Sequence, residues 1–403
     1  RSRLNRYNRG SLADPTGRDP DWNRSFEWAP GRPRAAILLL HGLSDSPYSM
    51  RAIGQQLHAR GAHVLGLRIP GHGTAPSGLV RVSWQDQAAA VRLAVKHLAQ
   101  QAPGQPIHLV GYSNGAALAV NYVLSSIANP DLPRIESVVL LSPEIGIAGA
   151  AAYAVWQARI GVLLGLDKLA WNDIKPEYDP YKYGSFAVNA ADLAHRLTQQ
   201  IQVKLTALGE AGKLDLVPPI LAFTSLVDAT VRAPALVENL FARLPGGGHR
   251  LVLFDINALE GMESILNGSP DEWYAALAND EDRPFSMDLV TNESTGSRQV
   301  KWVTMSAGED EQRVSPLGLE WPHDVFSLSH VALPFPPDDP LYGNLDRESE
   351  PLLHLGSLAL RGERGVLHIS GDDMLRLRWN PFYSFMEERI LSFLQLERDN
   401  KQR

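Results

Sequence analysis

The chain has 403 residues, of which 44% are hydrophobic and 21% charged, and its formal net charge is -7. That balance is typical of a soluble globular protein large enough to bury a core unaided, and the acidic excess argues against nucleic acid as a partner. It contains no cysteine, which excludes disulfides, a thiol nucleophile and thiolate metal sites but leaves the compartment open.

Residues 1–34 are rich in Arg, Pro, Asp and Gly and read as an irregular arm with one edge strand near Phe26–Trp28. The sequence starts at Arg1 rather than Met, and Arg1, Arg3, Arg6 and Arg9 form a basic cluster. One reading is a juxtamembrane stretch after a removed signal or anchor, which points to an exported or membrane-anchored protein. The other is a solvated, mobile terminus of a cytoplasmic one. No uninterrupted apolar run of about 20 residues is present, so no transmembrane helix is expected.

A regular alternation then begins. Ala35–Leu40 is a short, wholly apolar run, as expected of a strand buried on both faces. A helix follows over 50–60, with Met50, Ile53 and Leu57 at helical spacing and Gly61 as its stop, and then a strand over 64–67. Ser83 and Asp86 match a capping box, and Trp84, Ala88, Val91, Val95 and Leu98 stripe the helix it opens. Further strands are expected over 107–110, 138–141, 220–223 and 251–254, with helices over 116–125 and through Leu236, Val237, Leu240, Phe241 and Leu244. Phe382, Phe385, Met386, Ile390 and Phe393 stripe a closing helix.

This order predicts an α/β fold with a doubly wound, mainly parallel sheet, built from 35–143 and 218–403, whose site lies at the carboxyl ends of the strands. Two segments interrupt it. Residues 144–217 read as a cap or lid, whose first part, 145–171, is mostly apolar and suits a helix pair roofing a pocket. Residues 257–328 lack the alternation but hold two strand-like stretches, 285–291 and Gln299–Met305, around turn-rich 292–297, as in a hairpin.

Gly111, Tyr112, Ser113, Asn114 and Gly115 spell G-x-S-x-G directly after a buried strand and before a helix. A sharp turn there lifts the serine hydroxyl clear of the sheet, and the helix N-terminus favours developing negative charge. The bland alternative is an ordinary glycine-rich turn. No His, Asp and Glu spacing suggests a metal, and there is no Walker A or Rossmann fingerprint.

Residues 37–115 resemble the α/β-hydrolase superfamily, and within it the monoacylglycerol lipase, lysophospholipase and carboxylesterase branch. The matching pieces are LLLHGLSDSP (38–47), RIPGHGTAP (68–76), HLVGYSNGA (108–116) and, further on, ILAFTSLVDATV (220–231). The resemblance implies a serine nucleophile at Ser113 and oxyanion donors in the N–H groups of Leu43 and Asn114. His41 and Tyr112 then lie near the substrate, although His41 also reads as a satisfied buried residue. The loop Gly71-His72-Gly73 shapes the site from the side.

The family's acid falls on Asp228, whose bland alternative is a helix N-cap, with Glu144 as a second position. The sequence departs from the family where the histidine should follow the last strand. The insertion intervenes, and His330 is preferred over His323, with His354 and His368 behind them.

The implied activity is cofactor-free hydrolysis of small-molecule ester or lipid-like substrates with an apolar acyl chain, with peripheral membrane contact through the cap or the arm. The same residues also suit a peptidase, amidase or thioesterase, and the fold also suits a non-catalytic binding protein.

Overall fold

The computed structural model describes residues 4–146, 170–257, 271–309, 311–344, 354–356 and 375–397. Most of the expected apolar roof, 145–171, and His368 lie outside the described residues.

The strands, in chain order, begin with β1 (Phe26–Trp28), β2 (Ala35–Leu40), β3 (Ala62–Leu67), β4 (Ile107–Tyr112) and β5 (Ser137–Leu141). They continue with β6 (Trp171–Asp173), β7 (Phe186–Ala187), β8 (Ile220–Ser225), β9 (Arg250–Phe254), β10 (Ser286–Asn292), β11 (Gln299–Met305) and β12 (Gln312–Glu320). Ten of them form one sheet in the order β1-β3-β2-β4-β5-β8-β9-β10-β11-β12, while β6 and β7 pair separately. From β3 through β10 neighbouring strands are parallel. β1 is antiparallel at one edge, where the missing side chain of Gly66 makes room for the Phe26 ring. This is the doubly wound, mainly parallel sheet of the α/β-hydrolase fold.

The two faces of β2 show why its sequence is apolar throughout. Ala36, Leu38 and Leu40 enter one core with α2 (Trp84–Gln101) and α3 (Asn114–Ala128). Ala35, Ile37 and Leu39 enter the other, against α1 (Arg51–Ala59) and the closing helix Tyr383–Phe393. Each fully buried Leu or Ile contributes about 1.5–3 kcal/mol relative to exposure, so the strand is fixed from both sides. The capping box at Ser83 and Asp86 is formed.

Within 144–217, helix α4 (Val188–Glu210) lays Leu197, Ile201, Leu205 and Leu208 into the same core as α2 and α3. Its first turns bring Ala190, Leu193 and Ala194 to Leu43 and Tyr183.

The two strand-like stretches of the insertion are β10 and β11, paired antiparallel, but they extend the main sheet instead of standing apart. A third strand, β12, was not apparent from the sequence. It carries Pro316 and Gly318 and is largely exposed, as an edge strand tolerates. Just ahead of β10, the buried Arg283 guanidinium donates to the carbonyls of Phe285, Leu277, Ala278, Ser306 and Glu309. Arg283→Met leaves those acceptors unpaired, and a loss of about 2–4 kcal/mol is expected, read as a lower urea midpoint.

The arm is not a loose tail from Leu4 onward. The Arg6 side chain is buried and donates to Asp179 O, Lys182 O and Asn23 Oδ1, and Arg6 N donates to Glu177 O. Asn23 Nδ2 donates to Pro180 O. The expectation of a mobile, solvated terminus therefore fails for Arg6, whose charge is used to hold backbone carbonyls of 177–182. Among the described residues no helix is long and apolar enough to cross a membrane.

Candidate active site

Ser113 stands between β4 and α3 with φ 54 and ψ -118. A non-glycine residue held there costs of order 1–3 kcal/mol, a strain the surroundings must over-determine. They do: Ser113 N donates to Leu141 O, while Ser113 O accepts from the N–H groups of Ala116 and Glu144. A side chain at Gly111 would collide with Ala116 backbone, and one at Gly115 with the carbonyls of Leu40 and His41. The two glycines therefore let α3 start tight against β4 and β2, which raises the serine at the carboxyl end of the sheet.

Gly115 also brings α3 against the loop that follows β2. Neither Leu43 N nor Asn114 N donates to a protein acceptor among the described residues. His41 explains how Leu43 N is aimed. Its ring is fully buried, Nε2 accepts from Ile69 N at 3.1 Å, and the proton is therefore on Nδ1, which donates to Gly42 O at 2.9 Å. Fixing the Gly42 carbonyl fixes the plane of the next peptide and points Leu43 N–H the opposite way. His72 Nε2 holds Leu43 O at 2.6 Å on the far side. Burial pushes the pKa of both rings down, and His72 also lowers that of His41.

Asp228 follows β8. Its Oδ1 accepts from the N–H groups of Thr230 and Val231 at 2.8 and 2.9 Å, and the Ser142 hydroxyl lies close enough to favour its charged form. Burial raises its pKa against those hydrogen bonds and the nearby Arg376 charge. Glu144, after β5, is half-buried near it. Among the described residues its Oε2 has no partner, and burial, followed by the nearby Asp228 charge, pushes its pKa up to about 7.

His330 arrives from the far side of the insertion. Asn257 pairs back onto the returning chain, donating to Phe326 O and Val325 O, and Ile256 bridges Ser327. The insertion thus leaves and re-enters the fold at the end of β9, and His330 lies where the residue after a short β9 loop would lie. Its Nδ1 is 3.7 Å from Asp228 Oδ1, and its ring centroid is 6.4 Å from that of Tyr112. Asp228, not Glu144, is the carboxylate it meets. His323 lies exposed in a turn.

A further neighbour of the ring comes from the segment before the closing helix. Arg376 NH2 lies 2.8 Å from His330 Nδ1 and 3.4 Å from Thr230 Oγ1. A guanidinium only donates, so Nδ1 accepts and a neutral ring carries its proton on Nε2. No hydrogen bond joins Ser113 Oγ to His330 in this arrangement. Burial, followed by the charges of Arg376 and Lys182, holds the His330 pKa well below its ordinary value.

Ser113, Asp228, His330, Leu43 and Asn114 are thus gathered at one end of the sheet. His41 and Tyr112, expected beside the substrate, are buried at 0% and 1% exposure. Both nitrogens of His41 are taken by backbone, so it reaches the site only through the peptide it holds. Among the described residues no cluster suits a metal ion.

Residues 31–206 match a family model described as serine aminopeptidase, S33. No curated protein matches. Among solved structures, the chain is similar to a metagenome-derived lipolytic enzyme at 18% identity and TM-score 0.44, covering 63% of this chain and 97% of that one. A monoacylglycerol lipase of Paleococcus ferrophilus gives 18%, 0.42, 57% and 88%. A soluble variant of the monoglyceride lipase of Saccharomyces cerevisiae gives 18%, 0.43, 57% and 82%.

Proposed function

We propose that this chain, an α/β hydrolase by fold with the S33 family pattern over 31–206, is a serine hydrolase that cleaves carboxylic esters through an acyl-enzyme. The observation that carries this reading is the strained turn at Ser113, directly after Tyr112, whose ring lies 6.4 Å from that of His330, itself 3.7 Å from Asp228. Strain of this kind, enforced by glycines on both sides, has no role in packing the core.

In the proposed reaction His330 Nε2 takes the hydroxyl proton as Ser113 Oγ bonds to the substrate carbonyl carbon. Asp228 holds the proton on Nδ1 and stabilises the imidazolium. Leu43 N–H and Asn114 N–H receive the oxyanion, and one such donor is worth on the order of 10²–10³ in rate. Collapse breaks the ester C–O bond, and the imidazolium proton goes to the leaving alkoxide. Water then repeats the sequence on the acyl-enzyme and releases the acid. Esters with an apolar acyl chain are the substrate class we infer.

An aminopeptidase has the family description behind it. It would have to place a positively charged amine near the scissile bond, yet the cavity beside His330 is lined by Lys175, Lys182, Arg376 and Arg378 with Asp179 alone against them. That lining favours an ester over a peptide amine.

Labelling with a fluorophosphonate tests the reading. One adduct mapping to Ser113 is expected, together with turnover of p-nitrophenyl esters that is faster for octanoyl than for acetyl. An adduct elsewhere, or none, would overturn the assignment, and a preference for acetyl would remove the apolar acyl chain.

A further inference from the structure

We propose that the cationic cavity next to His330 binds an anionic group of the substrate, a carboxylate or a phosphate, and that this anion draws Arg376 off the imidazole to complete the catalytic geometry. The inference rests on the hydrolase reading above and adds a substrate class to it.

The cavity, of about 110 Å³, lies between the segment 175–184 and the residues around Val331 and Arg376. It adjoins the reacting groups on two sides. Val331 follows His330, and Tyr183 N donates to Ser44 O, one residue from Leu43. Four cationic side chains face it. Two are paired with carboxylates, Lys182 with Asp45 and Lys175 with Asp173, each at 3.4 Å. Arg378 NH2 reaches Tyr178 OH at 3.5 Å. The carboxylate in the lining, Asp179, is already engaged by Tyr342 OH and by the N–H groups of Tyr181 and Lys182.

Arg376 is the one of the four that touches His330. Its hydrogen-bond partners among the described residues are a neutral imidazole nitrogen and a hydroxyl, and its charge acts on Asp228 without a direct ion pair. Carboxylate and phosphate oxygens are stronger acceptors for a guanidinium than an imidazole is, and they suit its planar fork. An anion in the cavity therefore outcompetes His330 Nδ1.

The consequence for the ring is a change of tautomer. With Arg376 on Nδ1, the proton sits on Nε2, and Nε2 cannot accept from Ser113. With Arg376 withdrawn, Nδ1 carries the proton toward Asp228 Oδ1, now 3.7 Å away, and Nε2 becomes an acceptor. The substrate that fills the cavity thus switches on the base that attacks it, and a substrate without the anion meets a ring held in the wrong state.

Esters of one acyl chain test this: a neutral alcohol, the same alcohol bearing a phosphate, and a half-ester bearing a carboxylate on the acyl side. One or both anionic esters should exceed the neutral one in kcat/KM by roughly 10- to 100-fold. Which of them does so identifies the anion and the side it enters from. Arg376→Gln should remove that preference while raising turnover of the neutral ester. A merely structural arginine would lower all three alike, and that result overturns the proposal, as does a wild-type enzyme indifferent to the anion. If Ser113 takes the fluorophosphonate but no anionic preference appears, the hydrolase reading stands and this inference falls. If neither is seen, both fall.

Discussion

Ser113→Ala is expected to lower kcat for ester hydrolysis by roughly 10⁴- to 10⁶-fold, the scale on which a lone serine nucleophile is lost from such a unit. The loss follows from geometry. The φ of 54 lifts this hydroxyl out of the sheet, whereas Ser142, at the end of β5 with φ 38, is fully buried. Alanine fits the same turn, since the strain is in the backbone and Gly111 and Gly115 are untouched. The variant should therefore keep the wild-type urea midpoint while losing turnover and fluorophosphonate labelling together. Retained turnover would mean that the turn is only a strand-to-helix connection.

The second large effect is at His330. His330→Ala is expected to cost about as much as Ser113→Ala, because the two act as a unit, whereas His323→Ala should leave the rate within about twofold. Asp228→Asn should fall by roughly 10⁴, and Glu144→Gln far less, since Asp228 is the carboxylate at 3.7 Å from the ring. The pH profile follows from the direction of the His330 shift. The base must be neutral, and its pKa is held below the ordinary histidine value by burial and by Arg376. Activity should therefore persist below the pH at which an ordinary histidine becomes protonated and fall only at lower pH, visible in kcat/KM against pH. An acid limb above about pH 6.5 would contradict the buried ring.

These residues differ in how readable they are from sequence. The strand-turn-helix around Ser113 is local: an apolar run, two glycines and an apolar helix lie within one short stretch, and each states its own conformation. Asp228 is readable for the same reason, coming directly after the buried run of β8. His330 can be preferred over its rivals but no further, since its place depends on how 257–328 leaves and returns. The pairing that brings it back, Asn257 with Phe326 and Val325, has no periodic signature. Arg376 is wholly illegible, because a guanidinium reaching a histidine from a distant segment leaves no mark in either neighbourhood. β12 is hidden by Pro316 and Gly318, which read as a loop unless the strand is known to be an edge. α4 lies within the stretch expected as a cap, and only the folded chain shows its apolar residues entering the core with α2 and α3.

The arm has one further implication for what counts as the minimal enzyme. The family match begins at residue 31, after Arg6 and Asn23, yet these two side chains anchor carbonyls of Asp179, Pro180 and Lys182 behind the cationic cavity. Recognition of the substrate's charge and integrity of the arm are then one property. Removing only residues 1–30 would keep every reacting atom and loosen the panel that selects what reaches them.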